Sequence, residues 1–269
     1  MFGLGERSAR LLLAGSYPVI VPSGRDRRAV SDTIGFVFVF ALIVSAVGIV
    51  TVVGMGSLQD ARDYEQVNNA ERAFEVLSDN VEDLRRKEVP SRATEIKLGG
   101  AAVRTGDPIV VNVTASGTSA TASTGNLSMT PIVYEADTGE QIRYVNGAIV
   151  RSNDQSSWMV DEPALLLGSN RTIVPVLWLR ADQQRSISGD RTVHVRTVHT
   201  STDISAADTE DTYDTVTVRM ETPNADLWAD YYTRQGMSCT QPTDETIDCT
   251  KNGLDRVYVT TVGVSVGFG

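Results

Sequence analysis

Hydrophobic and charged residues are distributed very unevenly along this chain, and the sharpest contrast lies near its N-terminus. Residues 34–55 form a run of 22 residues without a charge, and Arg27 and Arg28 come shortly before it. A helix of that length rises about 33 Å at ~1.5 Å per residue, enough to cross a hydrocarbon core of ~30 Å. The run therefore predicts one membrane-spanning helix.

A different spacing follows the uncharged run. Across residues 58–84, apolar side chains recur every three or four positions, and charged residues fill the positions between them. This period places the apolar side chains on one stripe of a helix. The predicted stripe consists of Leu58, Ala61, Tyr64, Val67, Ala70, Phe74, Leu77, Val81 and Leu84.

The two helical segments are predicted to be continuous. Pro90 marks the end of the helical pattern, and residues 29–89 contain no proline. We therefore expect one helix of about 60 residues, with a bend near Gly54 and Gly56. The stripe is expected to pack mainly under the protein's own β domain, and contacts with neighbouring helices are the alternative.

Beyond Pro90 the pattern changes to segments of alternating apolar and polar residues, separated by residues typical of turns. Asn146-Gly147 between two alternating segments predicts a hairpin, and residues 224–234 predict one short helix. Polar loops are expected at 116–125 and 201–214. Strands are predicted at 94–98, 108–115, 127–135, 141–145, 148–151, 172–180, 192–200, 215–221 and 256–266.

These elements predict an α+β fold in which a long N-terminal helix, transmembrane and then amphipathic, carries a mainly antiparallel β head with one short helix. The predicted organisation is a basic leader at 1–28, a transmembrane helix at 29–56, an amphipathic helix at 57–90 and a β-rich head at 91–269.

The apolar run separates a basic N-terminal segment from an acidic remainder of the chain. Residues 1–28 carry a net charge of +3, whereas residues 57–269 carry 19 basic and 31 acidic side chains. The basic flank favours a cytoplasmic N-terminus and an extracellular head. A head this acidic repels phosphate backbones, so nucleic acid is not expected as a partner.

The acidic part of the chain after the apolar run is also poor in lysine, with only Lys87, Lys97 and Lys251. An acidic surface of this kind is expected of an archaeal, halophilic protein, because strong salt screens its self-repulsion. An ordinary acidic extracellular domain is the alternative.

Two features fit an exterior location. Cys239 and Cys249 are the only cysteines, and we expect a disulfide between them rather than a metal site with two cysteine ligands. Asn112, Asn126 and Asn170 begin glycosylation triplets, which are permissible on an exterior face.

Catalysis finds little support in the sequence. His194 and His199 fall five apart on one predicted strand, so their side chains are expected on opposite faces. No nucleophile–base order, phosphate loop or metal-ligand spacing stands out, and the acidic segment 203–214 lacks the calcium-loop pattern. We expect no enzyme activity, no metal and no cofactor.

The nine residues RRAVSDTIG, which occupy 27–35 directly before the apolar helix, resemble the class III signal of archaeal type IV pilins. The resemblance implies that a prepilin-type membrane peptidase cuts between Arg28 and Ala29, so that the apolar helix stays on the mature protein. The layout of a long helix with a β head is also similar to that of pilins. The commonest archaeal pattern has proline where this chain has Asp32.

Ser31, Asp32 and Gly35 are candidate residues for helix start and assembly. Ser31 or Asp32 can cap the helix, and a carboxylate in the first turn favours the helix dipole. After cleavage, Asp32 would be the fourth residue and could pair with another subunit's new amine. A simple helix-start role is the alternative.

Two functions remain open. The first is a pilin-like cell-surface subunit that is stored in the membrane and assembled into a type IV pilus-like filament. Its expected partners are the lipid bilayer, the peptidase and other pilin-like subunits. The second is a permanently anchored extracellular binding module that does not polymerise.

Overall fold

The computed structural model describes residues 26–87, 89–168, 170–181, 183, 185–207 and 213–269, with side chains from Asp32 onward. The chain divides into two compact units, Met1–Leu58 and Gln59–Gly269.

The N-terminal unit consists, where it is described, of the first part of helix α1, which runs from Asp26 to Lys87. Every described side chain of this unit is exposed. The helix is long and apolar enough to cross a membrane by length and composition, as predicted. Helical backbone continues through Gly54 and Gly56.

The second unit begins with the remainder of α1, and its stripe is buried in the β domain. Six of the nine predicted stripe residues are at most 2% exposed: Val67, Ala70, Phe74, Leu77, Val81 and Leu84. The expectation that the stripe packs under the protein's own head is therefore confirmed for these six. It is wrong for Leu58, Ala61 and Tyr64, which are exposed because they precede the first residues that the head covers.

Seventeen strands and one short helix make up the rest of the described chain. Helix α2 is Ala225–Arg234, close to the prediction. The strands are β1 Ser91–Lys97, β2 Gly100–Thr105, β3 Ile109–Ser116, β4 Thr121–Ser123, β5 Leu127–Met129, β6 Ile132–Glu135, β7 Gln141–Val145, β8 Ala148–Ser152, β9 Ser157–Asp161, β10 Leu166–Leu167, β11 Thr172–Ala181, β12 Ser186–Gly189, β13 Thr192–Ala207, β14 Thr215–Glu221, β15 Ser238–Thr243, β16 Thr246–Asn252 and β17 Val257–Phe268.

The strands form three sheets. Sheet A has the order β1-β13-β17-β11-β10, sheet B the order β12-β2-β6-β7-β8-β9, and sheet C the order β15-β16-β14-β3-β4, with β5 also paired to β3. All pairs are antiparallel except β11 with β17, which run parallel over ten residues. The predicted α+β class with a mainly antiparallel head is confirmed.

Two hydrophobic cores occupy the second unit. The helix core combines the α1 stripe with inward residues of sheets A and B, such as Phe74, Tyr134 and Val264. The disulfide core combines sheet C, α2 and other residues of sheets A and B, and it contains Trp228 and Cys249. Sheets A and B therefore contribute to both cores.

The hairpin predicted at Asn146-Gly147 joins β7 to β8. Both turn residues have positive φ, 47° and 81°, which the two-residue turn requires and which asparagine and glycine tolerate. The Asn146 side chain accepts a hydrogen bond from the Leu177 amide at 3.0 Å. The turn is thereby fixed against sheet A.

Several predicted boundaries are wrong. The predicted strand at 127–135 is two strands, β5 and β6, separated at Thr130 and Pro131, and proline lacks the N–H that a ladder needs. Strand β4 lies in the expected loop 116–125, and β13 extends to Ala207 in the expected loop 201–214. Residues 208–212 of that loop lie outside the described residues.

Phe74 tests the dependence of the head on the helix stripe. It is fully buried in the helix core, so we expect Phe74→Ala to lower the free energy of unfolding by about 3–5 kcal/mol through lost burial and a cavity. Denaturant unfolding of the full chain in detergent, followed by tryptophan fluorescence, measures this. Val76→Ala is the matched control, because Val76 is 52% exposed on the same helix. Equal effects of the two substitutions would contradict the buried stripe.

Candidate functional site

The predicted processing and helix-start residues lie at the beginning of α1. Arg28, Ala29 and Ser31 have helical backbone, but their side chains lie outside the described part. Asp32 is exposed, and a Cβ at Gly35 would meet no atom within 4 Å. The backbone of all five therefore belongs to one continuous helix, which leads directly into the uncharged run.

The uncharged run presents apolar side chains on all sides of the helix. Phe38 and Val50 are each 72% exposed, and the most apolar window of the helix has none of its residues buried. Apolar surface this extensive is unfavourable in water, and a lipid bilayer is an environment that covers it. The exposed large residues include Ile34, Phe36, Val37, Phe38, Val39, Phe40, Leu42, Ile43, Val44, Val47, Ile49, Val50, Val52, Val53 and Met55.

Further along α1, an arginine from sheet B binds the helix. The Arg151 guanidinium donates to Glu71 at 2.8 Å and Asn68 at 3.2 Å on the helix, and to Glu140 at 3.2 Å. Only 8% of Arg151 is exposed, and its guanidinium lies 5.6 Å from the Trp158 ring centroid. Burial lowers the pKa of Arg151, but the two carboxylates outweigh burial and raise it. We call Arg151, Asn68, Glu71 and Glu140 the arginine clamp.

Other polar contacts hold the same part of α1 against the β domain. The Gln66 amide donates to the Leu98 carbonyl at 2.6 Å and to the Tyr134 hydroxyl at 3.1 Å. Asn80 donates to the buried Thr94 hydroxyl at 2.9 Å. Together with the clamp, these bonds set the rotation of the helix about its own axis. Each bond forms only when one particular face of the helix is turned toward sheets A and B.

The last turns of this helix carry a group of ion pairs. Asp83 accepts from Lys87 at 2.7 Å and from Arg92 of β1 at 3.0 Å, and these contacts lower the pKa of Asp83. Burial raises the pKa of Glu82, but hydrogen bonds and charge from Arg85 and Arg86 outweigh burial and hold it below its usual value. The cationic side chains also oppose the negative end of the helix dipole.

The predicted disulfide is present. Cys239 of β15 and Cys249 of β16 are directly opposite in the strand register, with a Cα–Cα distance of 4.0 Å. The hairpin around them is not among the elements predicted from the sequence. Residues 238–243 are mostly polar and exposed, so the segment lacks the alternation that predicts a strand.

The three glycosylation triplets lie in different settings. Asn126 and Asn170 are exposed. Asn112 is half-buried in the middle of β3, where its amide donates to Asn126 at 3.0 Å and its carbonyl oxygen accepts from Ser123 at 2.8 Å. The Asn112 amide nitrogen is therefore already used in a side-chain contact.

The two histidines lie on β13, as predicted, and they meet different groups. His194 Nδ1 is 3.8 Å from Glu95, whereas His199 Nε2 is 2.9 Å from the Thr202 hydroxyl. Over the described residues, no group of three or more histidine, cysteine, aspartate or glutamate side chains is arranged to hold a metal.

Sequence reasoning missed the arginine clamp. Arg151 stands at the end of one predicted strand, and Glu71 is one of many acidic residues on an amphipathic helix. No spacing connects them, since 80 residues separate the pair. Only tertiary packing brings the two charges together.

A family model matches residues 28–267, and its description is a family of unknown function, DUF7289. The match covers the apolar helix and nearly all of the β domain. The chain belongs to the DUF7289 family. No curated protein matches the chain, and no solved structure does.

In this DUF7289 chain the match extends over parts of both units, from Arg28 to residue 267. The apolar helix and the β domain therefore belong to one family match.

Arg151 provides a test of how the helix is held. We expect Arg151→Met to lower the free energy of unfolding by about 2–3 kcal/mol, because Glu71 and Glu140 lose their shared cationic partner. Urea unfolding of the full chain in detergent measures it. Arg234→Met is the control, since Arg234 pairs with Glu162 on the exposed surface and such pairs contribute about 0–1 kcal/mol. A loss no larger than the control's would show that the clamp does not hold the helix.

Proposed function

We propose that this protein is a pilin-like structural subunit of the cell surface. Its N-terminal helix anchors it in the membrane, and a prepilin-type peptidase cuts between Arg28 and Ala29. The processed chain assembles into, or associates with, a type IV pilus-like filament. The observation that carries the proposal is the exposed, uncharged stretch of α1 at 34–55, which continues from the signal-like residues 27–35.

The exposed helix supplies a driving force for assembly. In the membrane, lipid covers its apolar side chains, whereas in a filament the same side chains are covered by neighbouring copies. Close packing between helices replaces lipid contacts during that transfer. The β domain, which has its own two cores, remains folded without contributing to this exchange.

The proposed orientation places residues 1–28 in the cytoplasm and the β head outside. The basic leader, the acidic head and the disulfide support this orientation. Outside the cell, Asn126 and Asn170 are the more accessible glycan acceptors, because both are exposed and the amide of Asn112 already donates a hydrogen bond.

One observation favours the second candidate function, a permanently anchored surface module. Stripe residues from Val67 to Leu84 are buried in the protein's own head. They are therefore not available to pack against other subunits, and assembly would rest on the N-terminal part of the helix. A module that stays in the membrane needs no such contacts.

Processing is tested directly by the N-terminus of the mature protein. We expect chain extracted from membranes of cells that contain a prepilin-type peptidase to begin at Ala29, as measured by intact mass and N-terminal sequencing. The matched control is the same chain produced without the peptidase, which should keep residues 1–28. An intact bond between Arg28 and Ala29 in the presence of active peptidase would overturn the proposed processing.

Asp32 distinguishes assembly from anchoring. If its carboxylate pairs with a neighbouring subunit's new amine, Asp32→Asn should leave the membrane-extracted amount unchanged and reduce the protein in sheared filaments about tenfold. Immunoblots of both fractions measure this. Asp60→Asn is the control, because Asp60 is exposed on the same helix but far from the new amine in sequence. Unchanged filament yield would limit Asp32 to helix initiation.

A further inference from the structure

The later part of α1, within the second unit, carries exposed charges of alternating sign. Glu65, Arg72, Asp79 and Arg86 follow one another at intervals of seven residues, and each of them is exposed. Seven residues are close to two helical turns, so the four side chains form one row that drifts by about 20° per interval. We call these four residues the charge row. Its signs run negative, positive, negative and positive.

The charge row lies on the side of the helix away from the buried stripe. Arg72 stands two positions before Phe74, and Asp79 stands two positions after Leu77, and both of these stripe residues are fully buried. Two positions correspond to a rotation of about 200° around the helix axis. The β domain therefore covers one side of the helix, and the charge row on the other side is accessible to a second molecule.

The two arginines of the charge row contact neighbours on the same helix. Arg72 donates to the neutral amide oxygen of Asn69 at 3.5 Å, and Arg86 forms an ion pair with Glu82. Glu82 also pairs with Arg85, so it keeps a cationic partner when Arg86 turns toward another molecule. Both arginines can therefore exchange these contacts for a carboxylate of a partner.

The charge row is complementary to itself at only some axial offsets. When two parallel copies lie at the same height, each charge of the row faces a charge of the same sign. An offset of seven residues, about 10.5 Å along the helix, instead brings Glu65 opposite Arg72, Arg72 opposite Asp79, and Asp79 opposite Arg86. An offset of twice that length brings like charges together again. A second copy shifted by seven residues is therefore the partner that the row fits best.

We propose that the charge row packs against the charge row of a second copy, in parallel orientation and with an offset of seven residues. The proposal rests on the filament assembly proposed above, in which the apolar segment of the helix supplies the driving force. The charge row then selects the axial offset, because like charges in contact oppose the other parallel arrangements. An antiparallel pair also matches opposite charges, but copies drawn from one membrane share one orientation.

Cysteine crosslinking in sheared filaments measures the offset. Cells that assemble filaments produce two differently tagged full chains, one with Asn69→Cys and one with Val76→Cys. Both positions are exposed, lie within about one turn of Arg72 and are seven residues apart. We expect crosslinks between position 69 of one copy and position 76 of another to exceed those between identical positions about tenfold. The parent chain is the background control, because Cys239 and Cys249 are already bonded to each other.

Charge variants test whether the row selects this offset. Arg72→Glu places like charges in two of the three offset pairs, so it should lower the crosslink between positions 69 and 76 about tenfold. Reversal of the whole row, by Glu65→Arg, Arg72→Glu, Asp79→Arg and Arg86→Glu together, should restore the crosslink. Arg171→Glu is the matched control, since Arg171 is exposed on the β domain and the substitution makes the same change in net charge.

Three results overturn the proposal. Filaments whose crosslinks join mainly identical positions would show a different offset and would leave the filament function standing. Equal losses of the crosslink with Arg72→Glu and Arg171→Glu would assign the effect to net charge rather than to the row. Absence of the chain from sheared filaments would overturn the proposed function, and this packing of the charge row with it.

Discussion

Burial of one helix stripe between sheets A and B is the interaction on which the β domain depends. Stripe residues from Val67 to Val81 occupy the centre of the helix core, and inward residues of both sheets pack around them. A sheet with an apolar face must bury it against another layer. Here the covering layer is the later part of helix α1, and the earlier part of the same helix contains the uncharged run.

Sheet A joins this helix core to the second core. Its parallel pair, β11 and β17, sends Val174 and Val176 into the disulfide core, and then Leu177 and Leu179 into the helix core. Successive side chains of a strand point to opposite faces of the sheet. The step from Val176 to Leu177 therefore changes which face, and which core, receives the buried side chain. Two cores are thereby held by continuous strands rather than by a flexible linker.

The two parts of helix α1 differ in exposure. The arginine clamp and the stripe bind residues from Gln66 onward to the head, whereas the large apolar side chains between residues 34 and 55 are exposed. In the proposed function, membrane insertion and assembly depend on this earlier segment, and the two cores lie wholly within the second unit.

The sequence by itself determined the helix, six of the nine residues of its buried stripe, the class of the head, the Asn146-Gly147 hairpin and the disulfide, because each follows from local periodicity, turn geometry or a lone cysteine pair. Tertiary structure alone decided the parallel pairing of β11 with β17, the polar β15–β16 hairpin and the contact of Arg151 with Glu71. These features join segments that are distant along the chain or lack alternation. Their partners are chosen by packing and charge in three dimensions, which no local pattern records.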